Sequence, residues 1–238
     1  MRTSYGFEMT GGCQSCAIKG DGFFCNLPEA ALKAFDAISF SAAYPSGAVL
    51  FSEQEQPRGA FLLCKGRVKL SITSSDGKMV ILRIVNAGEV MGLHAVVSGK
   101  SYQATAETLE PSQTSFVRRD DFLRFLRQHP EASLRAAEQL SENYQAACQQ
   151  VRSLGLSHSA TGKLAGLLLE WASAGRPAQQ ENRVKFTLTH EEIGQLVGLS
   201  RETVTRTLSE FRHRRLVSVK GSTLVIQDRP ALQAFAGV

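Results

Sequence analysis

Apolar positions in the first half of the chain fall in short runs broken by turn-forming residues. The runs cover 48–51, 59–64, 66–73, 79–85, 89–97, 103–109 and 113–117, each four to nine residues long and alternating or solidly apolar. Between them stand Pro45-Ser46-Gly47, Gln56-Pro57-Arg58-Gly59, Lys65-Gly66, Ser75-Asp76-Gly77, Ala87-Gly88, Ser98-Gly99 and Glu110-Pro111-Ser112. Runs of this length between turn signals predict strands, and Ser75-Asp76-Gly77 between two alternating segments is a strong hairpin signal. Many short strands without intervening helices predict a jelly roll or β-sandwich rather than βαβ units.

Helical periodicity starts near Arg119, and Pro130 is placed to open the next helix as its first residue. From Ser133 to Leu154 the apolar residues Ala137, Leu140, Tyr144, Ala147, Val151 and Leu154 step alternately by three and four, a heptad seam. That seam packs either on the strand domain or on the same helix of a second copy. Gly155 and Ser157-His158-Ser159 suit a hinge; beyond them the pattern predicts a helix over 161–174, a loop over 173–182, a strand near 184–188, two helices and a hairpin over 216–226.

The two late helices carry the most information. Thr189 with Glu192 three residues on forms a capping box, opening a short helix with Ile193, Leu196 and Val197 on its apolar face. Gly198 suits the left-handed conformation that ends it. Ser200 is placed to cap a second helix that buries Val204, Leu208 and Phe211 and leaves Arg201, Glu202, Thr205 and Arg206 on a polar face. Such a pair predicts a helix-turn-helix whose second helix enters the major groove, where Arg pairs with guanine and Glu accepts from cytosine. Thr189, Ser200 and Thr203 sit at the helix starts beside this face. Lys220-Gly221-Ser222 forms a hairpin tip, with Lys220 placed to reach the phosphate backbone.

Composition adds only a little. The 238 residues are 43% hydrophobic and 21% charged, an ordinary globular balance with room for two domains. Net charge is +5, and residues 156–238 hold 11 Lys and Arg against 7 Asp and Glu, so the excess lies with the helix-turn-helix. The N-terminus lacks a signal-peptide pattern and no apolar stretch is long enough to span a bilayer, so a cytoplasmic protein without a membrane partner is expected. The histidines (His94, His129, His158, His190, His213) are scattered, and no nucleophile triad or phosphate loop is present, so no enzyme is expected.

The stretch EEIGQLVGLSRETVTRTL resembles the winged helix-turn-helix of the Crp/Fnr regulators, with SRETV-x-R similar to the recognition helix of the cyclic-AMP receptor branch. The resemblance implies an α+β architecture: a Cys-containing arm (1–27), a double-stranded β-roll sensor (28–128), a long dimerisation helix (129–155) and a winged helix-turn-helix (156–238). It implies a homodimer on double-stranded DNA with a palindromic TGTGA-like site, Arg201 and Arg206 on guanines and Glu202 on a cytosine amine. The loop over 173–182 then lies where the family's activators meet RNA polymerase.

In the cyclic-AMP branch a Gly-Glu-Leu and an Arg-Ser pair hold the nucleotide. Here Leu93 follows Gly92, and Tyr102-Gln103 stands near the Arg-Ser position, so the phosphate partner is missing and no cyclic nucleotide is expected, with control by a small ligand in the β-roll, a cyclic nucleotide or another, as the alternative to a cysteine-bound sensor. A different sensor is suggested by Cys13-x2-Cys16-x8-Cys25. In a cytoplasmic chain this spacing suits thiolate-bound metal, and free redox-sensitive thiols or no role are the alternatives. The arm resembles that of the Fnr branch, implying a [4Fe-4S] cluster or another Cys-bound metal. That branch's distant Cys would fall where Ser112 and Ser115 stand, which leaves Cys64 as the substitute fourth ligand. Cys148, beside the seam, reads as a small packed residue.

Overall fold

The computed structural model describes residues 5–9, 11–13, 16, 24–155, 159–173, 182–185, 187–221 and 223–237. The expected hinge residues Ser157 and His158, most of the 173–182 loop and Ser222 lie outside them. The chain divides into two compact units, residues 1–146 and 147–238.

The first unit is a double-sheeted roll. One sheet orders β1 (Ser39–Tyr44), β8 (Ser112–Arg118), β3 (Gly59–Lys65) and β6 (Val90–Met91); the other orders β2 (Val49–Phe51), β7 (Thr105–Thr108), β4 (Val68–Thr73) and β5 (Met79–Val85). All pairings are antiparallel. The alternating runs thus become strands with one face turned inward, and the inward residues include Phe51, Phe61, Leu63, Val68, Val85 and Tyr102. Tyr102 is 2% exposed, stacks on Phe51 with ring centroids 4.0 Å apart, and donates its hydroxyl to the Gly59 carbonyl at 2.6 Å. A buried phenol needs such a partner, and the pairing ties the 99–102 segment to the start of β3.

Three elements depart from the sequence reading. The run over 89–97 is not one strand: β6 stops at Gly92, whose φ of +76° breaks the extended path, and α2 (Leu93–Ser98) follows. A solidly apolar run carries no period to separate a strand from a buried helix. A further helix, α1 (Glu29–Ile38), precedes β1, burying Ala31, Leu32 and Phe35. In the second unit, α8 (Arg229–Ala236) follows the hairpin, capped by Asp228 with Pro230 in its first turn.

A second core lies outside the roll. It joins α1, α3 (Arg119–Gln128) and the first turns of α4 (Pro130–Gly155) through Phe24, Leu32, Phe35, Phe122, Phe125, Ala132 and Ala136. Buried Gln139 extends this attachment, accepting from the Val90 amide at 3.0 Å and donating to the Val90 carbonyl at 2.6 Å. Its side chain thereby satisfies both backbone groups of a β6 residue, as a neighbouring strand would.

The second unit packs α5 (Ala160–Ser173), α6 (His190–Val197), α7 (Arg201–His213) and α8 with a small sheet ordered β10 (Val217–Lys220), β11 (Thr223–Ile226) and β9 (Arg183–Lys185). Leu164, Ala165, Leu168, Ile193, Val204, Phe211, Leu224 and Leu232 form its interior. The Phe211 and Phe235 rings meet at 5.8 Å and fix α8 against α7.

Candidate nucleic-acid interface and cysteine site

The helix-turn-helix is built as its sequence implies. The Thr189 hydroxyl accepts from the Glu192 amide at 3.2 Å, and the Glu192 carboxylate accepts from the Thr189 amide at 2.7 Å. Gly198 ends α6 with φ of +69°. Ser200 then caps α7, accepting from the Thr203 amide at 3.2 Å. The turn also depends on a residue the sequence reading passed over. A Cβ on Gly194 would stand 2.5 Å from the Leu199 carbonyl oxygen, and that carbonyl belongs to the turn itself. Gly194 is therefore the contact across which the two helices close.

Val204, Thr207, Leu208 and Phe211 are buried, which turns Arg201, Glu202, Thr205 and Arg206 to solvent. Among the described residues, neither Arg201 nor Arg206 forms an ion pair with Glu202; the ion pair recorded on α7 is Glu210 with Arg214 at 2.8 Å. Hydrogen bonds from its own backbone and from Ser200 hold the Glu202 carboxyl below the usual carboxylate range. It therefore stays ionised, the acceptor form that a cytosine amine requires. The Thr205 hydroxyl donates to the Arg201 carbonyl at 2.9 Å and lies 2.8 Å from His190 Nδ1, so it is already engaged within the motif. Lys220 is exposed at the end of β10, with Gly221 (φ +59°) starting the turn to β11.

In the first unit, Cys13, Cys16, Cys25 and Cys64 line one cavity together with Gly11, Asp36, Leu62 and Ser115. Residues 51 and 39 positions apart in sequence meet there because α1 begins just after Cys25 and packs beside β3, which ends near Cys64. Cys25 is 7% exposed and belongs to the outer core. The Cys13 amide donates to Asp36 at 3.1 Å, and Cys64 Sγ lies 3.4 Å from the Ser115 hydroxyl. Burial, then Asp36, Cys64 and Cys25, push the Cys13 thiol up to about 12. Burial likewise raises Cys64.

The donor set of four sulfurs fits a tetrahedral thiolate centre of zinc or an iron-sulfur cluster. The cavity itself is small, about 10 Å³, roughly the space of one water. Among the described residues no three or more His, Cys, Asp or Glu form a preassembled ligand group.

Comparison with known proteins follows this division. Residues 162–235 match the Crp-like helix-turn-helix domain and residues 42–129 match the cyclic nucleotide-binding domain. The cAMP-activated global transcriptional regulator CRP of Salmonella typhimurium is 28% identical over 184 residues, 77% of this chain and 87% of its own. The CRP-like cAMP-activated regulator of Mycobacterium tuberculosis is 27% identical over 214 residues, covering 89% and 94%. The chain belongs to the Crp/Fnr family. It is a DNA-binding transcription regulator of that type, and FixK2 from Bradyrhizobium japonicum shares its fold with a TM-score of 0.72 at 22% identity, covering 83% and 97%.

Cys64 enters the cysteine-lined cavity from β3, the strand paired with β8, which contributes Ser115 to the same cavity. At the nucleotide position Tyr102 is turned inward onto Phe51, and Gln103 is exposed with its amide 3.2 Å from His94. Along α4, Tyr144 and Val151 are 72% and 70% exposed, and Ala137 and Ala147 are also exposed. Leu140 instead packs on the outer core, while Leu154 approaches Gly198. Leu134, 61% exposed, extends the apolar strip one turn earlier than the sequence seam.

Proposed function

We propose that this regulator acts as a homodimer on a palindromic, TGTGA-like duplex, under the control of a metal centre held by Cys13, Cys16, Cys25 and Cys64. The observation that carries the sensor half is the convergence of all four cysteines on one cavity, three from the arm and one from β3. Arg201 and Arg206 read guanines, Glu202 accepts from a cytosine amine, and Lys220 holds phosphate. Leu134, Ala137, Tyr144, Ala147 and Val151 form the self-association strip, and RNA polymerase is the downstream partner.

A [4Fe-4S] cluster is the first reading, in keeping with a response to oxygen, redox state or nitric oxide; when bound, it supplies a centre whose oxidation alters its hold on the thiolates. The small cavity favours a second reading, a single zinc ion. In either case the residues adjoining the site transmit its state. Cys25 sits in the same core as α1, α3, Ala132 and Ala136, so a change at the thiols bears on the seat of α4. Tyr102 inside the roll supports control without a cyclic nucleotide.

Iron, zinc and sulfide are measured in anaerobically purified protein, with DNA binding followed in parallel. Wild type and Cys148→Ser should carry metal, and Cys16→Ser and Cys64→Ser should lose it. Metal-free wild type, or a fully loaded Cys64→Ser, would overturn the sensor assignment. Saturating cyclic AMP should leave DNA affinity unchanged.

A further inference from the structure

The roll is not closed along its β1 edge. Strand β1 runs from Ser39 to Tyr44, whereas β2, which follows it after the turn and starts the facing sheet, has only Val49–Phe51. Phe40, Ala42 and Tyr44 alternate along β1 and share one face of it, which lines a concavity. A groove of about 700 Å³ remains there, walled by Phe40, Tyr44, Leu50, Phe61 and Phe116. Phe40 is 57% exposed within it, an unusual setting for a phenylalanine and one that marks a contact surface when it lies in a concavity.

The rim carries charge of one dominant sign. Arg58, Arg118 and Arg119 border the groove, with Asp120 as its acid. Glu55 engages Arg58 at 2.9 Å, and Arg119 donates to the Val96 carbonyl at 3.0 Å. Asp120 is 89% exposed and 3.9 Å from Arg119, so it neutralises the rim only weakly. Arg118 is exposed and lies over the Phe40 ring, 5.7 Å from its centroid. Gly92, Leu93, Tyr102 and Gln103 are not among the lining residues, so this groove is separate from the nucleotide position.

We infer that the groove binds a small ligand with a flat apolar body and one anionic head, such as an aromatic carboxylate, sulfonate or phosphate. The body lies between Phe40, Tyr44 and Phe116, and the head meets Arg118 at the rim. Aromatic walls reward a flat apolar body by removing it from water, and the guanidinium of Arg118 offers a fork of donors to an anionic oxygen. Concavity and volume suit a molecule of modest size, and the arginine rim disfavours a cationic head.

Titration of the full-length protein with 1-anilinonaphthalene-8-sulfonate, read by its fluorescence, tests this inference against the uncharged N-phenylnaphthylamine. Saturable binding of one sulfonate dye per protomer is expected, with the neutral dye at least about tenfold weaker. Arg118→Ser should reduce that preference to near parity, and Phe40→Ala should weaken both dyes about tenfold. Both positions are exposed, and unchanged circular dichroism would confirm that each variant is folded. Phe40→Trp adds a reporter inside the groove, whose emission should fall in step with dye binding. Equal affinity for the two dyes, wild-type binding by both variants, or no saturable binding would overturn the proposal.

Discussion

The same substitution at two helical glycines should act in opposite directions. Glycine inside a helix costs about 0.5–1 kcal/mol relative to alanine, so helix propensity alone favours Gly→Ala at Gly166 in α5 and at Gly194 in α6. At Gly166 an added Cβ meets nothing within 4 Å. Gly166→Ala should therefore gain the full amount. At Gly194 the Cβ would stand 2.5 Å from the Leu199 carbonyl oxygen, and ordinary contact begins at 3.4 Å. The turn must then open by about 1 Å, and forced overpacking of this kind costs about 1–3 kcal/mol. Set against the propensity gain, a net loss of up to about 2.5 kcal/mol follows, with about 1 kcal/mol at the middle of the two ranges. One kcal/mol is worth about 4–8 °C in a unit of this size. Calorimetric melts should place Gly166→Ala several degrees above wild type and Gly194→Ala several degrees below. Because Leu199 leads directly into the Ser200 cap, Gly194→Ala should also weaken specific DNA binding by fluorescence anisotropy about tenfold or more, and Gly166→Ala should leave it unchanged. A higher melting temperature for Gly194→Ala, or a lower one for Gly166→Ala, would refute the reasoning.

Arg206→Ala should cost about 1–3 kcal/mol on the preferred duplex and relax sequence preference, while Lys220→Ala should weaken all duplexes alike and reduce the salt slope by about one; competition anisotropy at two salt concentrations separates them. The raised pKa of Cys13 means that the folded chain holds this proton more tightly than the unfolded chain. In metal-free, reduced protein its contribution is present below the ordinary value of 9.0 and is lost as pH rises toward about 12. Chemical denaturation at pH 8 and pH 10 should show that decline in wild type and a smaller one in Cys13→Ala. Tyr144→Glu combined with Val151→Glu places two charges on the exposed strip of α4 and should give a monomer by light scattering, with the melting of the roll unchanged.

Much of the second unit was legible in the sequence because its signals are local. A capping box needs residues three apart, a glycine stop needs one residue, and helical burial repeats within a turn. Thr189, Gly198, Ser200 and the exposed set Arg201, Glu202 and Arg206 could all be placed on those grounds. Gly194 could not be, because its constraint comes from a carbonyl five residues away whose position depends on the angle between two helices. The run over 89–97 was misread for a related reason: an apolar residue is buried alike by strand or helix, and only Gly92 in its left-handed setting decides between them.

The cysteines show the division most clearly. Sequence alone put Cys13, Cys16 and Cys25 close together, because a short arm allows little else. It could name Cys64 only as a substitute, since reach is a property of the folded chain. Tertiary structure settled the neighbourhood. Pairing of β3 with β8 sets Cys64 beside Ser115, α1 carries Asp36 to the same cavity, and Cys25 reaches it from the turn just before α1. The open β1 edge and its arginine rim belong to the same class of fact, for they arise where one strand outruns another. Properties set by neighbours along the chain were fixed by the amino-acid order, and those set by neighbours across the sheets required the fold.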